Sequence, residues 1–271
     1  MDKKTNLRAL TECSIMIALS TVLSIVKLFE MPYGGSITLA SMLPIAIIAY
    51  RHGTKLGFTS ALAVSLIQML LGMKNFSYFS TWRSFVVLAV LDYVVAFGVF
   101  GISGMFKKKL KKQSTALTVG IILASLLRYL CHVISGATIW AGLSIPTEAA
   151  LVYSFSYNAT YMIPETVILT VLTVYVASVL DLSAAVPTRM RSEKVSKVSI
   201  CTSICAGAVA AGGLIADIVL IFSKLQNAES GEFDITSLGA VNWLAVIIIT
   251  ALTAIISLTL ALIAKKYARE N

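Results

Sequence analysis

The sequence predicts an all-α polytopic membrane protein: a six-helix bundle followed by two additional C-terminal transmembrane helices. Two observations carry this. Hydrophobic residues make up 58% of the 271 positions and charged residues only 13%, with a mean hydropathy of +0.87. Soluble domains carry roughly 25% charged residues, so this chain lacks the polar surface to face water on all sides. The apolar residues also fall into long blocks separated by short charged punctuation, which argues against a soluble protein with a large core.

A spanning helix needs about 20 predominantly apolar residues. The candidate spans are Ala9–Phe29, Ser36–Tyr50, Leu56–Gly72, Ser84–Phe106, Ala116–Ile139, Leu151–Leu180, Val198–Phe222 and Val241–Ala264. The second is short, which fits a tilted segment or one covered by protein. The sixth contains Pro164, which removes a backbone donor and predicts a kink. No segment alternates with period two, and only helices or closed barrels span lipid.

The formal net charge of +9 raises nucleic acid as a partner, but its distribution argues against one. Basic residues cluster at Lys3, Lys4 and Arg8, at Arg51 and Lys55, at Lys107–Lys112, at Arg189–Lys197, and at Lys265, Lys266 and Arg269. These are every second gap and both termini, so the positive-inside rule places both ends in the cytoplasm of the cell. Ala9–Phe29 is too long for a signal peptide's apolar core and is read as a retained first helix. Cys13, Cys131, Cys201 and Cys205 lie in apolar segments without acid or histidine partners at metal-ligand spacing, which favours small buried hydrophobes.

Three units are expected: residues 1–182 as a six-helix substrate-binding membrane domain, 183–197 as a basic cytoplasmic linker, and 198–271 as a two-helix extension. The extension carries small residues at helical spacing, Ala208 to Gly212 among them, suited to close packing in lipid. No internal repeat is evident, which weighs against an inverted-repeat transporter.

Ionisable groups inside apolar spans are costly unless paired or facing a cavity, so each is a functional candidate. Lys27 sits near a helix end and can snorkel. Asp217 lies mid-span, where an interhelical hydrogen bond competes with a functional role. Glu165 follows Pro164, deeper than a loop residue should be. Asp92 and His132 have more telling company. Arg128 and His132 share a helix face at i, i+4, with Trp140 at that helix's end. Tyr153, Tyr157 and Tyr161 form a stripe on the sixth span, and Asn158 shares a face with Tyr161 at i, i+3.

One reading is an aromatic belt at the outer interface with a buried Asp92–Arg128 ion pair. The other is an outward-opening pocket for a small, planar, cationic ligand. There the carboxylate opposes the charge, aromatic faces stack, and His, Tyr and Asn fix ring nitrogens. Enzymatic readings lack support: there is no HExxH, no GxSxG and no GxxxxGKS/T. No catalytic residue, metal or cofactor is expected, and any ATP hydrolysis belongs to a separate polypeptide.

The run Leu10-Thr11-Glu12, then Gly34-Gly35-Ser36-Ile37, Leu91-Asp92-Tyr93, Arg128–Gly136, Trp140 and Tyr153–Glu165 resembles the thiamine-specific S component of energy-coupling factor (ECF) vitamin transporters. The resemblance covers roughly residues 5–182. It implies a six-helix subunit that captures extracellular thiamine and assembles with a transmembrane coupling subunit and two cytoplasmic ATPases.

By the same resemblance, Asp92, Tyr93, His132, Trp140, Tyr153 and Asn158 match ligand-contacting positions. Met31–Ser36 would close over the ligand, with Tyr33 at the lid's aromatic position. Trp82, or else Tyr78, would supply an aromatic from the loop before helix four. Ser14 and Ala18 match a small-xxx-small docking face for the coupling subunit, a pattern that ordinary bundle packing also produces. The chain departs from the family in carrying Asp where some members have Glu, and in its two extra helices. Three alternatives stay open: an S component for a thiamine precursor or another vitamin, a proton-coupled secondary transporter using Asp92 or Asp217, and a membrane scaffold without a ligand.

Overall fold

A computed structural model describes residues 3–31, 34–141, 150–190, 196–225 and 235–269. The chain forms two compact units, Met1–Met190 and Arg191–Asn271.

The first unit holds six helices. They are α1 (Lys3–Ile25), α2 (Leu43–His52), α3 (Thr54–Leu71), α4 (Trp82–Ile102), α5 (Gln113–Thr138) and α6 (Ala150–Val179). The second holds α7 (Lys197–Leu225) and α8 (Trp243–Arg269). Among the described residues, seven helices are long and apolar enough to cross a membrane, α2 being the exception. The chain is a multi-pass membrane protein.

The expectation of a helical span over Ser36–Tyr50 is corrected. Its helix has only ten residues, about 15 Å at 1.5 Å per residue. The reason lies in Pro44, which occupies the first turn of α2. Proline has no N–H to continue a helix from upstream, so it starts one instead. Before it, Ser36–Thr38 form strand β2, antiparallel to β1 (Lys27–Glu30). The first helix therefore ends at Ile25 and not at Phe29. Lys27 is consequently no helix-end snorkeller. It lies on β1 and pairs with Glu30 at 2.7 Å.

The short helix lies beside α1 between Ser20 and Glu12. The Ser20 hydroxyl donates to the Ser41 carbonyl at 2.6 Å. At the far end, Glu12 accepts from Arg51 and lies 3.0 Å from His52 Nε2. Of the non-helical residues ahead of α2, Ile37, Thr38, Ala40, Ser41 and Met42 are buried while Leu39 is exposed, and α2 is buried from Leu43 to Tyr50. Gly53, with φ +89°, then reverses the chain into α3, a conformation that glycine adopts without penalty.

The segment after α6 belongs to the first unit. Strand β3 (Leu180–Asp181) pairs with β4 (Thr188–Arg189). Arg51 donates to the carbonyls of Leu182 at 2.7 Å and of Ala184 and Ala185 at 3.1 Å each. The compact unit thus ends at Met190, inside the basic stretch Ser183–Lys197.

In the second unit α7 and α8 pack as a hairpin. Ser257 donates to Ala206 O at 3.1 Å and Ser199 to Ala264 O at 2.8 Å. Asp217 accepts a 2.6 Å hydrogen bond from Thr250, the interhelical role weighed for it above.

Candidate functional site

The site begins in α4, where the backbone widens into π-helical geometry over Leu88–Val95. Such widened turns are uncommon and recur at functional sites. Asp92 lies inside this stretch. Its Oδ1 is 2.9 Å from His132 Nδ1, and its Oδ2 accepts from Ser135 Oγ at 2.7 Å and from Trp140 Nε1 at 3.4 Å. Periodicity on α5 explains the convergence: Arg128, His132 and Ser135 follow at i, i+4 and i+7 along one face.

Arg128 orients His132. A guanidinium has donors only, and Arg128 Nε–H donates to His132 Nε2 at 3.3 Å, which leaves Nδ1 facing Asp92.

The buried Asp92–Arg128 ion pair considered from the sequence is not formed. Arg128 Nη1 instead pairs with Glu165 Oε2 at 3.3 Å, both side chains nearly inaccessible. Its guanidinium also lies 4.5 Å from the Phe97 ring centroid. Thr38 on β2 donates to the other Glu165 oxygen at 2.8 Å. Glu165 was conspicuous from its depth in the sequence, but its partner was not.

These groups open onto a cavity of about 500 Å³, within the range of small-molecule sites. Asp92, Tyr93, His132, Trp140 and Asn158 all line it. The Tyr93 hydroxyl donates to Gly72 O at 3.3 Å and accepts from Asn75 Nδ2 at 3.2 Å. Its ring stacks between Phe76 and Phe97, with centroids 5.9 and 6.4 Å away.

Asn158 braces α6 against α5. Its amide donates to Ser154 O at 2.8 Å and to His132 O at 3.3 Å, while its oxygen accepts from the Tyr161 hydroxyl at 2.6 Å. Gly35, beside the β1–β2 turn, sits on the tyrosines of α6. A Cβ there would lie 2.8 Å from the Tyr161 ring and 3.2 Å from the Tyr157 hydroxyl.

Two expected residues stand elsewhere. Tyr153 is fully buried, 2% exposed, and packs behind the cavity wall, outside the residues lining it. Trp82 is 71% exposed, its ring beside Arg83, and it does not line the cavity. It stands at the first turn of α4, and the loop before it places two rings against Trp140, neither of which lines the cavity. Phe79 meets Trp140 edge-on with centroids 4.8 Å apart, and Tyr78 lies 5.8 Å from the same ring. Tyr33 falls outside the described residues.

Sequence reasoning passed over Ser135, Asn75, Gln68, Thr38 and Phe79. Ser135 had a signal, its helical register with His132. Asn75 and Phe79 sit in the connection between α3 and α4, where no periodicity operates.

Residues 10–183 match the family described as thiamine transporter protein (Thia_YuaJ). The thiamine transporter ThiT of Bacillus subtilis (strain 168) is 36% identical over 179 residues, covering 62% of this chain and 89% of that protein. Among solved structures, ThiT from Listeria monocytogenes aligns with a TM-score of 0.53 at 24% identity, over 64% of this chain and 94% of that one. That likeness concerns the fold of the first unit; the α7–α8 hairpin lies beyond the residues matched to the family. On the match over 10–183, this chain belongs to the thiamine transporter protein family.

Proposed function

We propose that the chain captures extracellular thiamine and delivers it into the cell as the substrate-binding subunit of an ATP-driven ECF transporter. The observation that carries this reading is Asp92, a carboxylate surrounded by hydrogen-bond donors on a cavity walled by aromatic rings. Thiamine joins a permanently cationic thiazolium to an aminopyrimidine with a donor–acceptor edge. Asp92 opposes the cation, the Trp140 ring supplies a face for stacking, and the second lone pair of the Asn158 oxygen addresses the edge, with Tyr93 and His132 lining the same cavity.

The strands β1 and β2 with Gly34 and Gly35 lie over the cavity, and Tyr33 between them is the proposed aromatic of the lid. The family relationship supports the partners: a transmembrane coupling subunit and two ATPases. Ser14 and Ala18 are both exposed on α1, available for close approach by a partner helix. The alternation of basic gaps supports cytoplasmic termini and a pocket opening outward.

The test is thiamine binding by the purified protein, read as quenching of Trp140 fluorescence and by calorimetry. Saturable binding that Asp92→Asn abolishes is the expected result. Absence of any thiamine response, or wild-type binding by Asp92→Asn, would overturn the proposal.

A further inference from the structure

We propose that Glu165 is a specificity-determining residue. By holding Arg128, it leaves the inner cavity with one uncompensated carboxylate, so the site selects a monocation over a neutral ligand of the same shape. This rests on the thiamine reading above and deepens it.

Among the described residues, the charged groups lining the inner cavity are Asp92, Arg128 and Glu165. His132 stands between two of them, with Nε2 accepting from Arg128 and Nδ1 facing Asp92. Two carboxylates against one guanidinium leave a single negative charge. The remaining charged residues of the lining, Lys27, Glu30 and Lys74, sit at the mouth with side chains 38%, 43% and 70% exposed. Solvent screens them, whereas the inner three act in a low-dielectric setting.

Which carboxylate Arg128 joins decides where the surplus charge resides. Arg128 is one imidazole removed from Asp92, since it donates to His132, which in turn bonds Asp92. Glu165 draws it to the opposite side with help from Thr38, and Phe97 supports the guanidinium by a cation–π contact. Once Glu165 loses its charge, Asp92 becomes the one carboxylate in the inner cavity. Arg128 then neutralises it, and the cavity loses its preference for a cation. Glu165 is thus a positioning residue that acts through Arg128.

The experiment compares two ligands on the full-length protein: thiamine, and a neutral isostere in which carbon replaces the thiazolium nitrogen. The readout is the ratio of their dissociation constants, which a merely structural role would leave unchanged even if both affinities fell. The wild type should favour thiamine, and Glu165→Gln should shrink that preference by roughly tenfold or more. Adding Arg128→Gln to Glu165→Gln restores the single negative charge and should restore the preference. If the Gln variant fails to fold, Glu165→Met removes the same charge at similar volume, with the same fall expected.

An unchanged ratio in the single variants, or no recovery in the double variant, overturns the inference while the thiamine reading stands. A wild type that binds neither ligand overturns both.

Discussion

His132 lies between an arginine and an aspartate that never touch: its Nε2 accepts from Arg128 at 3.3 Å while its Nδ1 faces Asp92 at 2.9 Å. The ring is at once a spacer and an oriented donor. It keeps the guanidinium off the carboxylate and aims its Nδ1 at Asp92.

Replacing His132 by Phe keeps a ring at the spacer position and removes both hydrogen bonds. Hydrogen bonds to charged groups contribute about 1.5–3 kcal/mol each. Thiamine affinity should therefore fall by roughly 10- to 100-fold, measured by calorimetric titration, with the thermal midpoint less affected. An unchanged dissociation constant would show that the ring acts by packing alone.

Gly35→Val should weaken binding through the lid. The added methyls cannot fit where even a Cβ would stand 2.8 Å from the Tyr161 ring, and displacing that ring breaks its hydrogen bond to Asn158. Overpacking of this kind costs about 1–3 kcal/mol. The expected signature is a faster thiamine off-rate in stopped-flow fluorescence.

Two truncations separate the units. A chain ending at Met190 keeps the β3–β4 ladder and the Arg51 acceptors, so it should bind thiamine as the full chain does. One ending at Leu182 loses the ladder and the Ala184 and Ala185 acceptors while keeping Leu182, and should melt at a lower temperature. Arg51→Ala should destabilise more severely, by about 3 kcal/mol, because Glu12 is left without its guanidinium. Thermal unfolding in detergent ranks the three.

The Glu30–Lys74 ion pair at the cavity mouth, 3.7 Å, should weaken with acid. The hydrogen bond from Lys27 holds the Glu30 carboxyl below its ordinary range, with Lys74 adding attraction. A carboxyl whose folded pKa is depressed contributes stability above its unfolded pKa and loses it as pH falls through the folded value. Thiamine release should therefore accelerate as the pH drops below about 4.5 in the wild type. Glu30→Gln should flatten that part of the profile.

The membrane class, seven of the eight expected spans and the cluster of Asp92, His132, Trp140 and Asn158 were legible in the sequence. Apolar length, charged punctuation and i, i+4 spacing are properties of a single continuous segment. They survive without knowledge of what packs against it. Hence α5 displays Arg128 and His132 on one face as their spacing requires. Pro164 stands within α6, next to the Glu165 that its depth made conspicuous.

The partner of Arg128 is a different matter. Asp92 and Glu165 lie at nearly equal sequence distances on either side of it, and local pattern cannot choose between them. Packing chose. The π-helical turn of α4 hands Asp92 to His132, and strand β2 brings Thr38 to Glu165. The same holds for the aromatics: the sequence favoured Trp82 with Tyr78 as the alternative, and neither lines the cavity.

By itself the sequence determined that this chain crosses the membrane repeatedly and which residues each helix face displays, because periodicity and hydropathy act along one segment. Only the tertiary structure decided which charges meet and which rings wall the cavity. Those pairings depend on how separate helices are juxtaposed, on a strand where a helix was expected, and on the widened turn that aims Asp92.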